Sequence, residues 1–143
     1  MKITIGSDHA GFELKEKVKE YLKQSKHETE DLGAFSEEPV DYPLIAKAVA
    51  KKVAKTSSTG ILICGSGIGM CITANRVKGV RAALCYDEYT AKVSREHNNA
   101  NILCLGARTG SAKIYKKIID TFLKTQPSKE ERHLRRIKEM DSL

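Results

Sequence analysis

Short apolar runs alternate with amphipathic stretches along the whole chain. The apolar runs KITIG at 2–6, GILIC at 60–64, VRAALC at 80–85 and NILCLG at 101–106 predict strands, and the polar HETEDLG at 27–33 predicts a weak strand at a sheet edge. The stretches between them carry apolar residues at helical spacing, such as Leu14, Val18 and Leu22. This alternation predicts a three-layer, Rossmann-like α/β fold with five mainly parallel strands and helices on both faces.

Capping residues indicate where the helices begin and end. Candidate N-caps precede four helical stretches, at Asp8, Asp41, Asp87 and Ser111. Pro43 fits the first turn of the second helix, and Gly79 is expected to end the helix that starts within GSGIGMCITANRV at 65–77. A last helix, SKEERHLRRIKEM at 128–140, follows Pro127. We therefore expect one domain over 1–143, with residues 126–143 as a C-terminal helical arm.

The composition is that of a single globular domain. Hydrophobic residues make up 41% of the 143 positions and charged residues 30%. No apolar run approaches the roughly 20 residues needed to span a bilayer. The first residues, MKITIGSDHAG, lack the long apolar stretch of a signal peptide. We expect a cytoplasmic protein without a membrane partner.

The net charge of +7 is concentrated near the C-terminus, where residues 106–143 carry ten Lys or Arg against five Asp or Glu. Such a segment is typical of contacts with nucleic acid, an acidic membrane surface or a phosphorylated small molecule. Aromatic residues make up only 6% of the chain, and none lies within the basic run at 129–138. That argues against a stacking platform for single-stranded nucleic acid, so we expect no nucleic-acid partner.

The four cysteines show no CxxC spacing, which disfavours a zinc site or a thioredoxin-like pair. We expect free thiols and no metal. Cys85 and Cys104 lie in apolar strands, where a cysteine usually serves as a small buried hydrophobe. Cys64 is different because it directly precedes a glycine-rich turn.

Unusual residues follow the predicted strands: GSDHAG after the first, CGSGIG after the third, YDE after the fourth and GARTG after the fifth. In parallel sheets, ligands bind at the carboxyl ends of the strands. We expect His97 and Asn98, which lead into the fifth strand, to lie at the same edge. A binding site at that edge follows.

The loop with Gly65, Gly67 and Gly69 opens a helix, so its backbone N–H groups favour an anion. A dinucleotide needs GxGxxG, but the third glycine comes one residue early and Met70 fills its place. A nucleotide P-loop is excluded because no GK[ST] follows. The dinucleotide alternative stays open, because Asp87 lies roughly 20 residues further on. A small oxyanion, either a phosphate or an enediolate formed during reaction, is the third candidate, and it alone gives Cys64 a role.

A thiol where a strand ends and a helix begins is in a position that favours the thiolate. The Cys64 thiolate could act as a nucleophile or as a general base. The alternative is a buried structural cysteine before a tight turn. A lone histidine such as His97 is most often a helix-capping or solvated residue, so each candidate has an ordinary structural explanation.

Seven segments together carry a resemblance to a known family. They are GSDHAG, VDYP, ILICGSGIGM, ANR, SREHNNANIL, LGAR and ERHLRRI. In this order they resemble the type B ribose-5-phosphate isomerases and the related isomerases of allose 6-phosphate and galactose 6-phosphate. The resemblance implies an aldose–ketose isomerase that acts through an enediolate, without a metal or cofactor, on a sugar phosphate.

The resemblance also implies roles for single residues. Cys64 is expected to be the base that moves a proton between C1 and C2, with the Ser66 hydroxyl beside the reacting oxygens and His97 opening the sugar ring. The backbone of Gly65, Gly67 and Gly69 is expected to form the anion hole. The expected contacts to sugar and phosphate are Asp8, His9, Tyr42, Asn98, Arg108, Arg132, His133 and Arg136.

Two positions separate this chain from other members. One branch of the family uses a glutamate where this chain has Met70, which indicates the cysteine branch. Two glycines usually precede the Arg-His pair, but Glu130 and Glu131 stand there and are expected to face solvent. The resemblance further implies a homodimer, or a dimer of such dimers, in which the arm reaches the partner subunit.

Two alternatives remain open. The same chemistry could act on allose 6-phosphate or galactose 6-phosphate, since the sequence does not rank five- against six-carbon sugars. A protein of another class, a non-catalytic module that binds a sugar phosphate or a nucleotide, would also use a glycine loop and a basic tail.

Overall fold

Five strands and six helices alternate along the chain in the computed structural model, which describes residues 1–143. The strands are β1 (Lys2–Ser7), β2 (Glu28–Asp31), β3 (Thr59–Cys64), β4 (Ala82–Leu84) and β5 (Ile102–Gly106). The helices are α1 (Phe12–Gln24), α2 (Tyr42–Thr56), α3 (Ile68–Ala74), α4 (Glu88–Glu96), α5 (Ala112–Lys124) and α6 (Glu131–Asp141). The predicted α/β alternation is confirmed.

The sheet has the order β2-β1-β3-β5-β4, and all four strand pairings are parallel. The wholly apolar β3 lies at the centre, where both of its faces are buried. The polar β2 lies at one edge, as its sequence predicts. As a result, the carboxyl ends of β1, β3 and β5 are side by side.

The core has one apolar layer on each face of the sheet. Side chains such as Ile5, Ile63 and Leu105 pack with α1, α4 and α5, whereas Leu62 and Ile102 pack with α2 and α3. All four cysteines are free thiols, and Cys85 and Cys104 are buried as predicted. None of the six helices has the length and apolar character needed to cross a membrane.

Helix α3 is shorter than predicted, because it ends at Ala74 and not at Gly79. The Asn75 side chain explains the early end. Its amide oxygen accepts the N–H of Ala82 at 2.9 Å, and its amide nitrogen donates to the Ala82 carbonyl at 2.9 Å. These two bonds link the chain to the start of β4 and draw it out of the helix.

The predicted helix starts are confirmed at three positions and wrong at one. Asp87 caps α4 in a reciprocal capping box with Thr90. Asp41 and Ser111 occupy the N-cap positions of α2 and α5, although neither side chain bonds the helix. Helix α1 is capped by Gly11, and the Asp8 carboxylate instead accepts the Gly11 N–H at 2.9 Å, one turn earlier.

Helix α6 is attached to the domain at few points. His133 is its only buried residue. Arg81 Nη1 contacts both carboxylate oxygens of Asp141 at 2.9 Å, and the Ser128 N–H donates to the Glu96 carbonyl at 3.0 Å. The predicted C-terminal helix is therefore present, at the periphery of the fold.

Candidate active site

An open depression of about 610 Å³ lies where β1, β3 and β5 end. Eight of the predicted site residues line it: Asp8, His9, Tyr42, Cys64, Gly65, Ser66, Gly69 and Arg108. The structure thus brings these eight residues together at the carboxyl edge of the sheet. A larger groove over α1 and β2 is lined only by polar and charged side chains and includes no predicted site residue.

Cys64 ends β3 and is buried, with 5% of its surface exposed. The Gly67 N–H donates to its sulfur at 3.1 Å. This hydrogen bond ties the sulfur to the backbone of the glycine loop. The sulfur also borders the depression, so it can reach a bound molecule while remaining shielded from bulk water.

The turn after Cys64 requires glycine at position 67. Its φ of +79° lies in the left-handed region, and an added Cβ would come within 2.5 Å of Leu84 Cδ1 and 2.9 Å of the Leu105 carbonyl carbon. This geometry lets the backbone turn back toward the sulfur and start α3. The sequence prediction of a tight glycine turn that opens a helix is confirmed.

The start of α3 presents several hydrogen-bond donors. The Ile68 N–H donates to the Ser66 hydroxyl oxygen at 3.3 Å. The N–H groups of Gly69 and Met70 belong to the first helical turn, where no intrahelical acceptor exists. Ser66 is exposed, so its hydroxyl hydrogen is directed by whatever binds in the depression.

Two other glycines make room for side chains that line the depression. An added Cβ at Gly69 would lie 2.6 Å from Tyr42 Cζ and 2.8 Å from its hydroxyl, so the Tyr42 ring packs directly on this glycine. An added Cβ at Gly65 would lie 3.3 Å from Arg108 Nη1. The glycine loop therefore holds both Tyr42 and Arg108 close to its backbone.

The segment after β1 supplies a carboxylate and an imidazole. Asp8 is buried, and its hydrogen bond to Gly11 fixes the carboxylate at the depression. His9 Nδ1 accepts the N–H of Val40 at 3.2 Å. Because Nδ1 is an acceptor there, the proton of the neutral ring lies on Nε2, which is free to donate to an anion.

The remaining six predicted site residues do not line this depression: Gly67, His97, Asn98, Arg132, His133 and Arg136. Gly67 nevertheless lies beside it, since its N–H donates to the Cys64 sulfur. The expectation that His97 and Asn98 lie at the edge of Cys64 is wrong. In a β–α–β unit the helix runs opposite to the strands, so α4 ends at the amino edge of the sheet. The Asn101 N–H donates there to the Arg81 carbonyl, just before β4.

His97 and His133 form a second cluster. Their rings stack with centroids 4.4 Å apart and an interplanar angle of 4°. Burial, the neighbouring His97 and the Arg132 guanidinium lower the pKa of His133 below its usual value. This cluster and the Cys64 depression each contain part of the predicted site.

The carboxylates before the Arg-His pair behave only partly as expected. Glu130 and Glu131 are both exposed. Glu130 Oε2, however, accepts a hydrogen bond from Arg132 Nε at 2.7 Å. The carboxylate thus occupies a donor of an arginine that was expected to bind phosphate.

Four lining residues were not predicted as site residues from the sequence: Ala10, Ile68, Ile72 and Thr109. Ile68 and Ile72 are four apart on α3 and are 53% and 62% exposed. Two apolar residues four apart share one helix face, so the sequence could have indicated an exposed apolar face on this helix. Thr109 follows Arg108 in GARTG, one of the segments already placed at this edge.

Cys71 carries a further unpredicted property. The nearby Cys104 thiol and Leu84 backbone lower the pKa of Cys71 to about 7, against the opposing effect of burial. Cys71 does not line the depression. No group of three His, Cys, Asp or Glu side chains is arranged to hold a metal ion.

Comparisons with known proteins agree with one another. The Ribose/Galactose Isomerase family profile matches residues 3–140. Ribose-5-phosphate isomerase B of Mycolicibacterium paratuberculosis is 45% identical over 139 residues, which cover 96% of this chain and 87% of that protein. A ribose 5-phosphate isomerase structure from Thermotoga maritima superposes with a TM-score of 0.95 at 52% identity, covering 99% of this chain and 98% of that one.

A third comparison concerns a protein with a bound sugar. The structure of ribose-5-phosphate isomerase B from Mycoplasma genitalium, with bound ribulose 5-phosphate, has a TM-score of 0.93 and 45% identity. The match covers 99% of this chain and 94% of that one.

Proposed function

The chain belongs to the ribose/galactose isomerase family, and on that premise we propose that it interconverts ribose 5-phosphate and ribulose 5-phosphate through an enediolate, without a metal or cofactor. The observation that carries the proposal is the Cys64 sulfur, which borders the depression and accepts the Gly67 N–H. A thiolate beside backbone donors suits abstraction of a carbon-bound proton, because the donors receive the negative charge that forms.

Cys64 acts as the base in this proposal. The thiolate removes the proton from C2 of the open-chain aldose, which leaves an enediolate with its charge on O1. The first-turn N–H groups of α3 and the Ser66 hydroxyl stabilise that charge. Ser66 passes the O2 proton to O1, and the Cys64 thiol returns its proton to C1, which produces the ketose.

Ring opening precedes this proton transfer and is assigned to His97. Ribose 5-phosphate is cyclic through O4, so the C1–O4 bond must break before C2 becomes acidic. His97 takes the proton from the O1 hydroxyl and delivers it to O4 as the C1–O4 bond breaks, which forms the C1 aldehyde. Asn98 contacts the intermediate beside it.

Phosphate and sugar are bound by the remaining predicted residues. His9 Nε2 and Arg108 point to the depression and offer donors to the phosphate. Arg132 and Arg136 lie four apart on α6, so they share one helix face and complete the grip. Asp8 and Tyr42 contact the sugar hydroxyls.

We further propose that one complete site uses two subunits of a homodimer. His97 lies at the amino edge of its own sheet and Cys64 at the carboxyl edge. A two-fold dimer can bring the first edge of one subunit to the second edge of the other. Leu44, Ile68 and Ile72 are exposed apolar residues on α2 and α3, and this face suits such an interface.

The same chemistry on a six-carbon sugar phosphate is the second candidate, because the family includes galactose isomerases and the depression is open to solvent. Comparing kcat/KM for ribose 5-phosphate, allose 6-phosphate and galactose 6-phosphate separates the two. We expect the highest value with ribose 5-phosphate. A higher kcat/KM with either hexose phosphate would identify that sugar phosphate, and not ribose 5-phosphate, as the preferred substrate.

The primary test is incubation of the purified protein with ribose 5-phosphate and a chelator, with no added cofactor. The proposal predicts ribulose 5-phosphate as the product. A non-catalytic binding module would bind the sugar phosphate and form no ketose. Binding without turnover would therefore contradict the proposed function.

A further inference from the structure

The His97 ring stacks on His133 and makes no side-chain hydrogen bond. It is the C-cap residue of α4, half-buried, and its ring lies parallel to the His133 ring with centroids 4.4 Å apart. The hydrogen bonds around it involve its backbone, whose N–H donates to Val93. The stacked ring is therefore the contact that sets the plane of the His97 imidazole.

His133 is well suited to remain fixed and neutral. It is only 5% exposed, and its Nδ1 atom is buried without a hydrogen-bond partner. An imidazolium would turn that nitrogen into a buried, unpaired N–H donor, which is costly. The nearby His97, Arg132 and Arg136 also lower the pKa of His133, whereas the Glu130 carboxylate raises it.

We propose that His133 is a positioning residue for ring opening: its neutral ring stacks on His97 and holds that imidazole at the orientation required to exchange protons with O1 and O4 of the cyclic sugar. This role differs from a direct phosphate contact, which the family resemblance suggested for His133. The inference rests on the proposed function, since it needs His97 to open the ring.

Two assays distinguish positioning from phosphate binding. Conversion of ribose 5-phosphate requires ring opening and proton transfer. Exchange of the C1 proton of ribulose 5-phosphate with solvent deuterium requires proton transfer alone, because this ketose cannot form a furanose ring through its phosphorylated O5. His133→Ala should lower kcat for ribose 5-phosphate by about 10²-fold, the usual cost of a misplaced catalytic group.

The exchange rate and both KM values should change by less than about threefold in His133→Ala if the residue acts on His97 alone. His133→Phe keeps a flat ring at the same place and should restore most of kcat. Leu134→Ala, at an exposed neighbouring position on α6, controls for general damage to the arm. Circular dichroism and thermal unfolding confirm that each variant folds.

A double-mutant cycle tests whether His133 acts through His97. In a His97→Ala background, adding His133→Ala should change the ribose 5-phosphate rate by less than about twofold, because there is no imidazole left to orient. Independent, multiplicative losses would overturn the proposal. So would an equal rise in both KM values, or a His133→Phe variant as impaired as His133→Ala.

These outcomes are separate from those of the proposed function. If the wild-type protein forms no ketose, the proposed function fails. If it forms ketose and the His133 variants give any of the three contradicting results, only the positioning role fails. Should His133→Ala not fold, the comparison of His133→Phe with wild type in the two assays still decides, because a phosphate contact would be lost in that variant too.

Discussion

At the scale of single residues, the sulfur of Cys64 and the N–H of Gly67 form the contact on which the proposed chemistry depends. Much of it was predictable from the sequence, because a glycine turn after a buried strand has few possible geometries. The packing of Tyr42 on Gly69 was not predictable, since it joins two elements that are distant in sequence.

Replacing the base tests this contact. We predict that Cys64→Ala lowers kcat by about 10²–10⁴-fold, the usual contribution of a positioned acid–base group. Cys71→Ala is the matched control, because Cys71 lies seven residues further along and does not line the depression. Steady-state kinetics with ribose 5-phosphate measure both. Wild-type turnover in Cys64→Ala together with a large loss in Cys71→Ala would reverse the assignment.

The thiol of Cys71 should titrate near neutral pH. In a Cys64→Ala chain, alkylation of Cys71 by iodoacetamide should rise with pH and reach half its maximum near pH 7, because the pKa of Cys71 is lowered to about 7. Cys85 serves as the internal control, since burial raises its pKa to about 11. Peptide mass spectrometry measures both sites. A midpoint for Cys71 at or above the ordinary value of about 8.5 would contradict the prediction.

The ion pair between Glu130 and Arg132 should weaken substrate binding. Glu130→Gln releases the arginine for the phosphate, so we predict a KM for ribose 5-phosphate lower by up to about fivefold, the upper range for an exposed pair. Glu131→Gln, also exposed, should leave KM nearly unchanged. Initial-rate measurements at low and high salt check this. An unchanged or higher KM in Glu130→Gln would show that the pair does not compete with phosphate.

At the scale of elements, the segment between β2 and α2 is held by a buried lysine. Lys15 has no exposed surface, and its Nζ contacts both Asp31 carboxylate oxygens, at 2.7 and 2.8 Å, and the Ala34 carbonyl at 2.5 Å. The far end of the segment bonds His9 through Val40. A lysine on the buried face of a helix is not predictable from helical spacing, because its partner comes from another strand.

Removing this lysine should destabilise the protein. We predict that Lys15→Met lowers the free energy of unfolding by about 3–5 kcal/mol, because it leaves the Asp31 carboxylate without its buried partner. Lys17→Met changes an exposed residue of the same helix and should cost no more than about 0.5 kcal/mol. Urea denaturation of both variants gives the comparison. Equal stability of the two variants would contradict the role of Lys15.

Asp31 also predicts how the stability depends on pH. Burial alone would raise its pKa, but the hydrogen bonds from Lys15 and Lys19 outweigh burial and hold the pKa below its usual value of 3.8. A depressed carboxyl pKa stabilises the fold above the unfolded pKa, and this contribution is lost as the pH falls through the lower folded value. Asp31→Asn should therefore have a smaller loss of stability below about pH 4 than wild type. Equal acid sensitivity would contradict this.

The strands and helices show which structural features a sequence pattern can predict. Strand positions and the parallel pairing followed from the alternation of apolar runs with helical periodicity. The early end of α3 could not be predicted from this pattern, because it depends on the hydrogen bonds between Asn75 and Ala82. The position of His97 was derivable from topology, since a helix between parallel strands must return to the opposite edge.

At the scale of the whole molecule, the predicted site residues divide into two clusters within one subunit. The catalytic depression contains Cys64, Ser66 and Arg108, and the second cluster contains His97 and His133. The peripheral attachment of α6 leaves Arg132 and Arg136 exposed to a neighbour. We therefore predict that each complete site uses two subunits.

The most direct test of a site shared between two subunits is to mix two chains, each expected to be inactive alone. A Cys64→Ala chain and an Arg132→Ala/Arg136→Ala chain are unfolded together and refolded, and mixed dimers are confirmed by mass. If sites are shared, each mixed dimer has one site with both changes and one site with none, so random pairing restores about a quarter of wild-type activity. If each subunit supplies its own arginines, every site carries a change, and a mixture as inactive as its parents would contradict the account.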